Sequence, residues 1–254
     1  MANTLYETVR KGLEPFLPPL YKHVRSRLLS EVRHTGERPA VLDVGGRKSH
    51  YTIGVPARIT LIDLPRTSEI QNNLGLGIND EIVSGLKKKR SNIERFIFGD
   101  MTNSDLPDES YDLVVSVEVL EHVEEDEKFV SEVWRVLKAG GRFIMTTPNG
   151  DFVENRNPDH KRHYKKEQLS NLLKRHFENV QVEYAIAGGY YRKLGLRSWS
   201  IRHPFRSLSS AFGNIVNAVQ SSNRDIGTRS VGTHHLFATA KKSDGDLKDI
   251  QLSN

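Results

Sequence analysis

The sequence predicts an α/β fold: a doubly wound, seven-stranded, mostly parallel sheet with helices on both faces and an antiparallel last strand. Three observations predict it. Short apolar runs alternate repeatedly with helical stripes along the chain. The first run, VLDVGG (Val41–Gly46), ends in an acid and a glycine turn. The second, ITLID (Ile59–Asp63), ends in another acid. In parallel sheets an acid closing the second strand takes ribose hydroxyls, and the glycines let backbone approach a ligand.

Residues 1–36 read as an N-terminal helical cap. Leu20, Tyr21, Val24, Leu28 and Val32 recur at helical spacing, and Pro18 and Pro19 punctuate what precedes them. The main domain, 37–240, opens with strands at Ala40–Val44 and Ile59–Asp63. A helix is expected over Asp80–Glu94, then a strand at Phe96–Phe98. The next strand, Leu113–Val117, leads into a helix that runs through Leu137 with Trp134 on its apolar side. Lys138, Ala139, Gly140 and Gly141 read as that helix's basic last turn and glycine stop. A strand at Phe143–Thr147, a helix at Lys166–His176 and strands at Val180–Ala185 and Thr233–Ala240 complete the pattern. No obvious crossover helix joins the last two strands, so one of them should run antiparallel.

Two segments stand apart. Residues 189–231 form a basic, lid-like insert with Arg192, Lys193, Arg197, Arg202, Arg206, Arg224 and Arg229 against one acid, Asp225. Within it Phe205, Leu208, Phe212, Ile215, Val216 and Val219 share one helical face. That face suits packing on the core, a substrate lid or a contact with an anionic or lipid surface. The polar tail, 241–254, reads as disordered.

The chain has 254 residues, enough for one full α/β core with decorations. Apolar content is 37% and charged content 27%, the balance of a soluble globular protein. The charge of +5 permits an anionic partner without requiring one. The absence of cysteine excludes disulfides and thiolate metal sites. No apolar run is long enough for a membrane span, and Glu7 and Glu14 interrupt any signal-peptide core, so a cytoplasmic enzyme is the expectation. Basic charge alone, without an RNA-binding module, argues against nucleic acid as partner.

The phosphate-binding glycine spacing is missing: Arg47 and Lys48 or Ser49 stand where its later glycines belong. A ligand with ribose and adenine but no pyrophosphate fits better, and a nicotinamide dehydrogenase fits poorly. The ordered motifs VLDVGG, ITLID, FIFGD, YDLVVSVEVLEHV and VLKAGGRFIMTTPN resemble those of class I S-adenosylmethionine-dependent methyltransferases, whose fold is Rossmann-like. The similarity spans roughly Pro39 to Ala240. Leu-Glu-His after the fourth strand and Thr-Pro-Asn after the fifth resemble the branch containing ubiquinone-biosynthesis O-methyltransferases. The resemblance implies S-adenosyl-L-methionine as cofactor and a small-molecule hydroxyl as acceptor, which the basic insert suggests is anionic or lipid-associated. It implies that Asp43, Gly45 and Gly46 line the methionine half, that Asp63 accepts from the ribose hydroxyls, and that Asp100 accepts from the adenine amine beside Met101. The backbone near Ser116–Glu118 would flank the sulfonium, which makes Glu118 a cofactor-lining residue. A carboxylate gains charge-assisted bonds from an ammonium or from two hydroxyls.

Glu118, Glu121 and His122 follow the fourth strand at positions i, i+3 and i+4, one face if the segment is helical. His160 lies on the loop after the fifth strand and could reach the same mouth. The cluster admits three readings: a helix start with acids at its positive end, a general base in His122 or His160, or a magnesium or manganese site of Glu118, Glu121, His122 and His160. Small-RNA 3′-terminal 2′-O-methyltransferases look similar here, so an RNA-end 2′-O-methyltransferase is an alternative. A non-catalytic interaction module on the same fold is another, motivated by the altered glycine motif. His234 and His235, in the last strand, read as structural, and Lys87 to Arg90 as a solvated helix end.

Overall fold

The computed structural model describes residues 4–66, 77–200 and 202–245. Seven strands form one sheet: β1 Ala40–Val44, β2 Arg58–Asp63, β3 Ile93–Phe98, β4 Tyr111–Val117, β5 Leu137–Pro148, β6 Glu178–Ala187 and β7 Thr233–Lys241. Their order is β3-β2-β1-β4-β5-β7-β6, and β7 alone runs opposite to the other six. β1 through β5 are parallel; β1, β2, β4 and β5 bury nearly continuous runs, as strands covered on both faces must, while β3, at the sheet edge, buries none of its residues.

Among the described residues, seven α-helices pack around it: α1 Leu5–Leu13, α2 Pro19–Thr35, α3 Asp80–Lys89, α4 Asp126–Val136, α5 Lys166–Lys174, α6 Tyr190–Gly195 and α7 Pro204–Ser221. One face of the sheet carries Phe143, Met145 and Leu236 against Phe129 and Val133 of α4 and Leu169 and Leu173 of α5. The other carries Val41, Ile144 and Phe237 against Val24, Leu28 and Val32 of α2. The expected stripe of α2 is therefore the stripe it buries. α1 starts in a capping box in which Thr4 and Glu7 bond each other's backbone N–H groups.

Several boundaries differ from the sequence reading, each for a local reason. Ile93 and Glu94 belong to β3, because α3 stops where Arg90 leaves helical geometry. Lys138 to Gly141 are not a helix stop. β5 begins at Leu137, paired with Tyr111, and the register then jumps to Leu113↔Arg142 across a bulge that Gly140 turns at φ 71°. The helix after β4 begins only at Asp126; Leu120–His122 is a single 3-10 turn. Arg90 is buried, not solvated: it donates to Ser49 Oγ (3.2 Å) and Thr52 Oγ1 (2.5 Å). Of the polar tail, 246–254 lie outside the described residues.

Candidate active site

The carboxyl ends of the parallel strands meet along one edge. Val44 pairs with Ile62 on one side and Ser116 on the other, so the order reverses about β1 and β4, where open α/β sheets bind ligands. Gly45 adopts φ 68° and donates its N–H to Ile62 O at 2.8 Å. A Cβ there would sit 2.7 Å from Val119 Cγ2, so this position needs glycine for both conformation and space. Asp63 closes β2 half-buried, with Oδ1 accepting the Leu64 N–H at 2.9 Å. Burial raises its pKa, opposed by that N–H and by the Arg47 guanidinium. Asp100 stands exposed just past β3, with Oδ1 accepting from the Thr102 N–H (2.8 Å) and hydroxyl (2.9 Å). Asp63 pairs with Phe98, which puts both acids on the same edge.

Three expected cofactor-lining residues are placed differently. Met101 is 4% exposed and packs in the core. Asp43 is fully buried: it accepts from Ser49 (2.6 Å), Tyr51 (2.8 Å) and Thr52 (3.0 Å), with Arg90 as counter-charge. Gly46 lies against Asp43, where a Cβ would fall 2.1 Å from its Cγ. Asp43 and Gly46 thus frame the turn from inside. The 3-10 turn Gly46–Lys48 and the hydroxyls that follow it take the place of a helix between β1 and β2.

At the ends of β4 and β5 the chemistry divides between the two sheet faces. Thr146 and Thr147 are neighbours, so their side chains point to opposite faces. Thr146 Oγ1 donates to Glu118 Oε1 at 2.9 Å, on the α2 face. His235 lies on that face too, two residues from Phe237, and its Nδ1 is 3.1 Å from the same Glu118 oxygen. Arg192 Nη2 approaches His235 Nε2 at 3.4 Å. Burial opposes ionisation of Glu118, but the His235 and Thr146 donors outweigh it and hold the carboxyl at about 2. Burial lowers Arg192 to about 10, with Glu118 resisting. Glu118 itself has φ 56°, strained for a residue with a Cβ, and that bend turns it away from Glu121.

These groups border a cavity of about 170 Å³ between α2, α6 and α7, with Glu118 and His235 at one end and Tyr21, Arg192, Asn214 and Asn217 in its walls. Asn217 Oδ1 is buried there without a partner. The sequence reading set His235 aside; only the antiparallel pairing Pro148↔His235 brings it beside the end of β5.

On the α4 face Thr147 donates to Glu121 Oε2 at 3.1 Å, and Glu121 Oε1 is buried without a partner. The loop after β5 folds over this turn, as expected: the Lys161 N–H donates to Glu121 O at 2.7 Å. His163 Nδ1 lies 2.9 Å from Val153 O and must donate to it, so His163 Nε2 accepts from His160 Nδ1 at 2.8 Å. His122 Nδ1 likewise donates to Asp159 O at 3.1 Å. In the neutral rings His122 and His160 therefore both keep a bare Nε2. One ligand atom each from Glu121, His122 and His160 lies within 4.8 Å of the others. Burial pushes Glu121 well above the usual carboxylate range, and the Glu118 charge adds to it. Of the four expected metal ligands the structure gathers three; Glu118 is engaged with His235 instead. Neither His122 nor His160 borders the α2-face cavity.

Residues 52–145 match the family described as a methyltransferase domain, a stretch from just after the glycine turn to β5. A probable S-adenosylmethionine-dependent methyltransferase of Mycolicibacterium smegmatis is 32% identical over 135 residues, 51% of each chain. A sterol 24-C-methyltransferase of Aspergillus fumigatus is 31% identical over 163 residues, 59% of this chain and 38% of that one. The matched stretches thus span about half or less of these relatives. A methyltransferase structure from Archaeoglobus fulgidus superposes with a TM-score of 0.55 at 19% identity, covering 87% of this chain and 94% of that one. The fold is thus the Rossmann-like one of this methyltransferase structure, and the stretch 52–145 is similar to a methyltransferase domain.

Proposed function

We propose that the chain transfers a methyl group from S-adenosylmethionine to an oxygen of a small amphiphilic acceptor held in the α2-face cavity. The observation that carries this reading is the Glu118–His235 pair at the end of β4, which borders one end of the α2-face cavity. The sulfonium supplies an electrophilic methyl carbon. Asp63 holds the ribose hydroxyls and Asp100 the adenine amine, while Gly45 admits the backbone close to the methionine half. Asp43 and Gly46 support that turn.

The acceptor hydroxyl displaces Arg192 from His235 Nε2 and gives its proton to that nitrogen. Glu118 holds the opposite N–H and steadies the imidazolium. The oxygen then bonds to the methyl carbon as the carbon–sulfur bond breaks, and the Arg192 guanidinium stabilises charge on the oxygen before transfer. Asn217 Oδ1 accepts from a second polar group of the acceptor. The apolar walls and the cationic Arg192 suit an anionic or lipid-associated hydroxyl compound. The insert 189–231 supplies two sides of the cavity and acts as its lid. A sterol methyltransferase among the relatives is in keeping with an apolar acceptor.

Calorimetry with S-adenosylhomocysteine tests the cofactor half. Asp63→Ala should weaken binding roughly 10- to 100-fold, the worth of charged hydrogen bonds lost. Unchanged binding would remove the reading.

A second reading has its own observation. Glu121, His122 and His160 each bring a ligand atom within 4.8 Å of the others, and Glu121 Oε1 is buried without a partner. They fit a divalent cation, magnesium or manganese, that anchors the loop after β5 over the cofactor edge. On the α4 face, such a cation would act by fixing that loop.

A further inference from the structure

Among the described residues, fourteen large apolar side chains are exposed, and nine of them fall within 189–231. They are not scattered. Phe205, Leu208, Phe212, Ile215 and Val219 make a single stripe along α7, with Phe205 86% exposed and Val219 71%. The opposite stripe of the same helix, Ser210, Gly213, Asn214 and Asn217, is the buried one. Its polar donors are bonded inward: Ser210 Oγ donates to Gly195 O (2.8 Å), Asn214 Nδ2 to Phe16 O (2.9 Å) and Asn217 Nδ2 to Ala187 O (2.7 Å). Gly213 lets the helix close on α6, since a Cβ there would lie 2.8 Å from Gly195 N. The helix is thus inside out: it is fastened to the protein by its polar side and offers its apolar side outward. A helix packed on a core does the reverse.

Charge says what covers that face. The segment 189–231 has seven basic residues and one acid, a net +6 that exceeds the +5 of the whole chain. Arg202 and Arg206 are exposed at the start of α7, where the stripe begins, and Lys193 and Arg197 are exposed on α6 and just after it. A second copy would bring like charge against like charge. An anionic bilayer meets both features at once, taking the apolar stripe into its interface and the cations onto its headgroups. Trp199, 40% exposed with its Nε1–H held by Ser210 Oγ at 3.1 Å, is the residue type favoured at that depth. No helix among the described residues is long and apolar enough to cross a membrane, so the contact lies in the membrane plane.

We propose that the outer face of α7 docks the protein onto an anionic lipid surface, with the helix lying flat in the interface. Its inner face forms a wall of the cavity that ends at Glu118 and His235, so docking places that cavity beside the lipid. The docking itself does not depend on methyl transfer.

Flotation of the full chain with vesicles tests this. Binding should be at least about tenfold tighter to equal parts phosphatidylcholine and phosphatidylglycerol than to phosphatidylcholine alone, and should weaken with added salt. Phe205→Ser with Phe212→Ser should abolish it. Arg202→Glu with Arg206→Glu should erase the preference for the anionic vesicles. The two pairs are exposed and independent, and circular dichroism confirms that each variant folds. Absence of wild-type binding at low salt, or variants that bind like wild type, overturns the proposal. So does light scattering that shows a dimer dissociated by the Phe205 and Phe212 changes, which would assign the face to a second copy.

Discussion

Glu118 and Glu121 are three residues apart, yet they end up in opposite chemical settings. Glu118 bonds Thr146 and His235 on the α2 face, beside a cavity, and is held ionised. Glu121 bonds Thr147 on the α4 face, under a loop, and burial favours its neutral form. One step along β5 decides which face each carboxylate meets. Two carboxyls whose environments push them apart are how a single strand end serves two purposes.

The sharpest way to break this contrast is to remove one imidazole from each side. His235→Ala should lower kcat roughly 10²- to 10⁴-fold, the ordinary worth of a general base. S-adenosylhomocysteine binding should stay intact, since His235 lines the α2-face cavity and not the edge of Asp63 and Asp100. His122→Ala should leave kcat within about tenfold if its role is to anchor a loop. The reverse ranking would move the base to the α4 face and refute the assignment of His235.

The interior of the fold tests the frame on which both sites rest. Asp43→Ala leaves the Arg90 guanidinium buried without its counter-charge, a change that costs about 3–5 kcal/mol. Denaturant midpoints with an unchanged slope would measure it. A loss near zero would show that Arg90 does not depend on Asp43 as its counter-charge.

Much of this was readable before any coordinates. The strand order of acids and glycines gave the edge where Asp63 and Asp100 meet, because strand ends in a parallel sheet align by register. The stripe of α2 predicted its buried face. The site's second half was not readable, because it depends on geometry that sequence spacing does not encode. Helical spacing joined Glu118 to Glu121 and His122, whereas a left-handed φ at Glu118 and a 3-10 turn separate them. His235 entered only through antiparallel pairing with Pro148, more than eighty residues earlier in the chain. In 189–231 the apolar periodicity was visible, but which side of the helix it faced was not, since its polar stripe does the packing.

A cation on the α4 face gives a further test. Magnesium or manganese should raise the thermal midpoint by several degrees if Glu121, His122 and His160 bind it at about a hundred times its Kd, and excess chelator should reverse the gain. Glu121→Gln should abolish the gain. A midpoint indifferent to either metal would leave the three residues as a loop clasp of hydrogen bonds.

The smallest effect, and the one that isolates the two carboxyls, is the pH dependence of stability. The folded pKa of Glu118 lies below its unfolded value, so its contribution is present above about pH 4.5 and is lost as pH falls toward about 2. For Glu121 the sign reverses. Its folded pKa is raised, so its contribution is complete below the unfolded value and is lost as pH climbs through the folded one. Glu118→Gln should therefore flatten the acid limb of the stability curve, and Glu121→Gln the opposite limb. Denaturant midpoints from about pH 3 to about pH 9, taken without divalent metal, read both limbs in one series. If both substitutions flattened the same limb, the two carboxyls would share one environment, and the division of the site between the sheet's faces would fail.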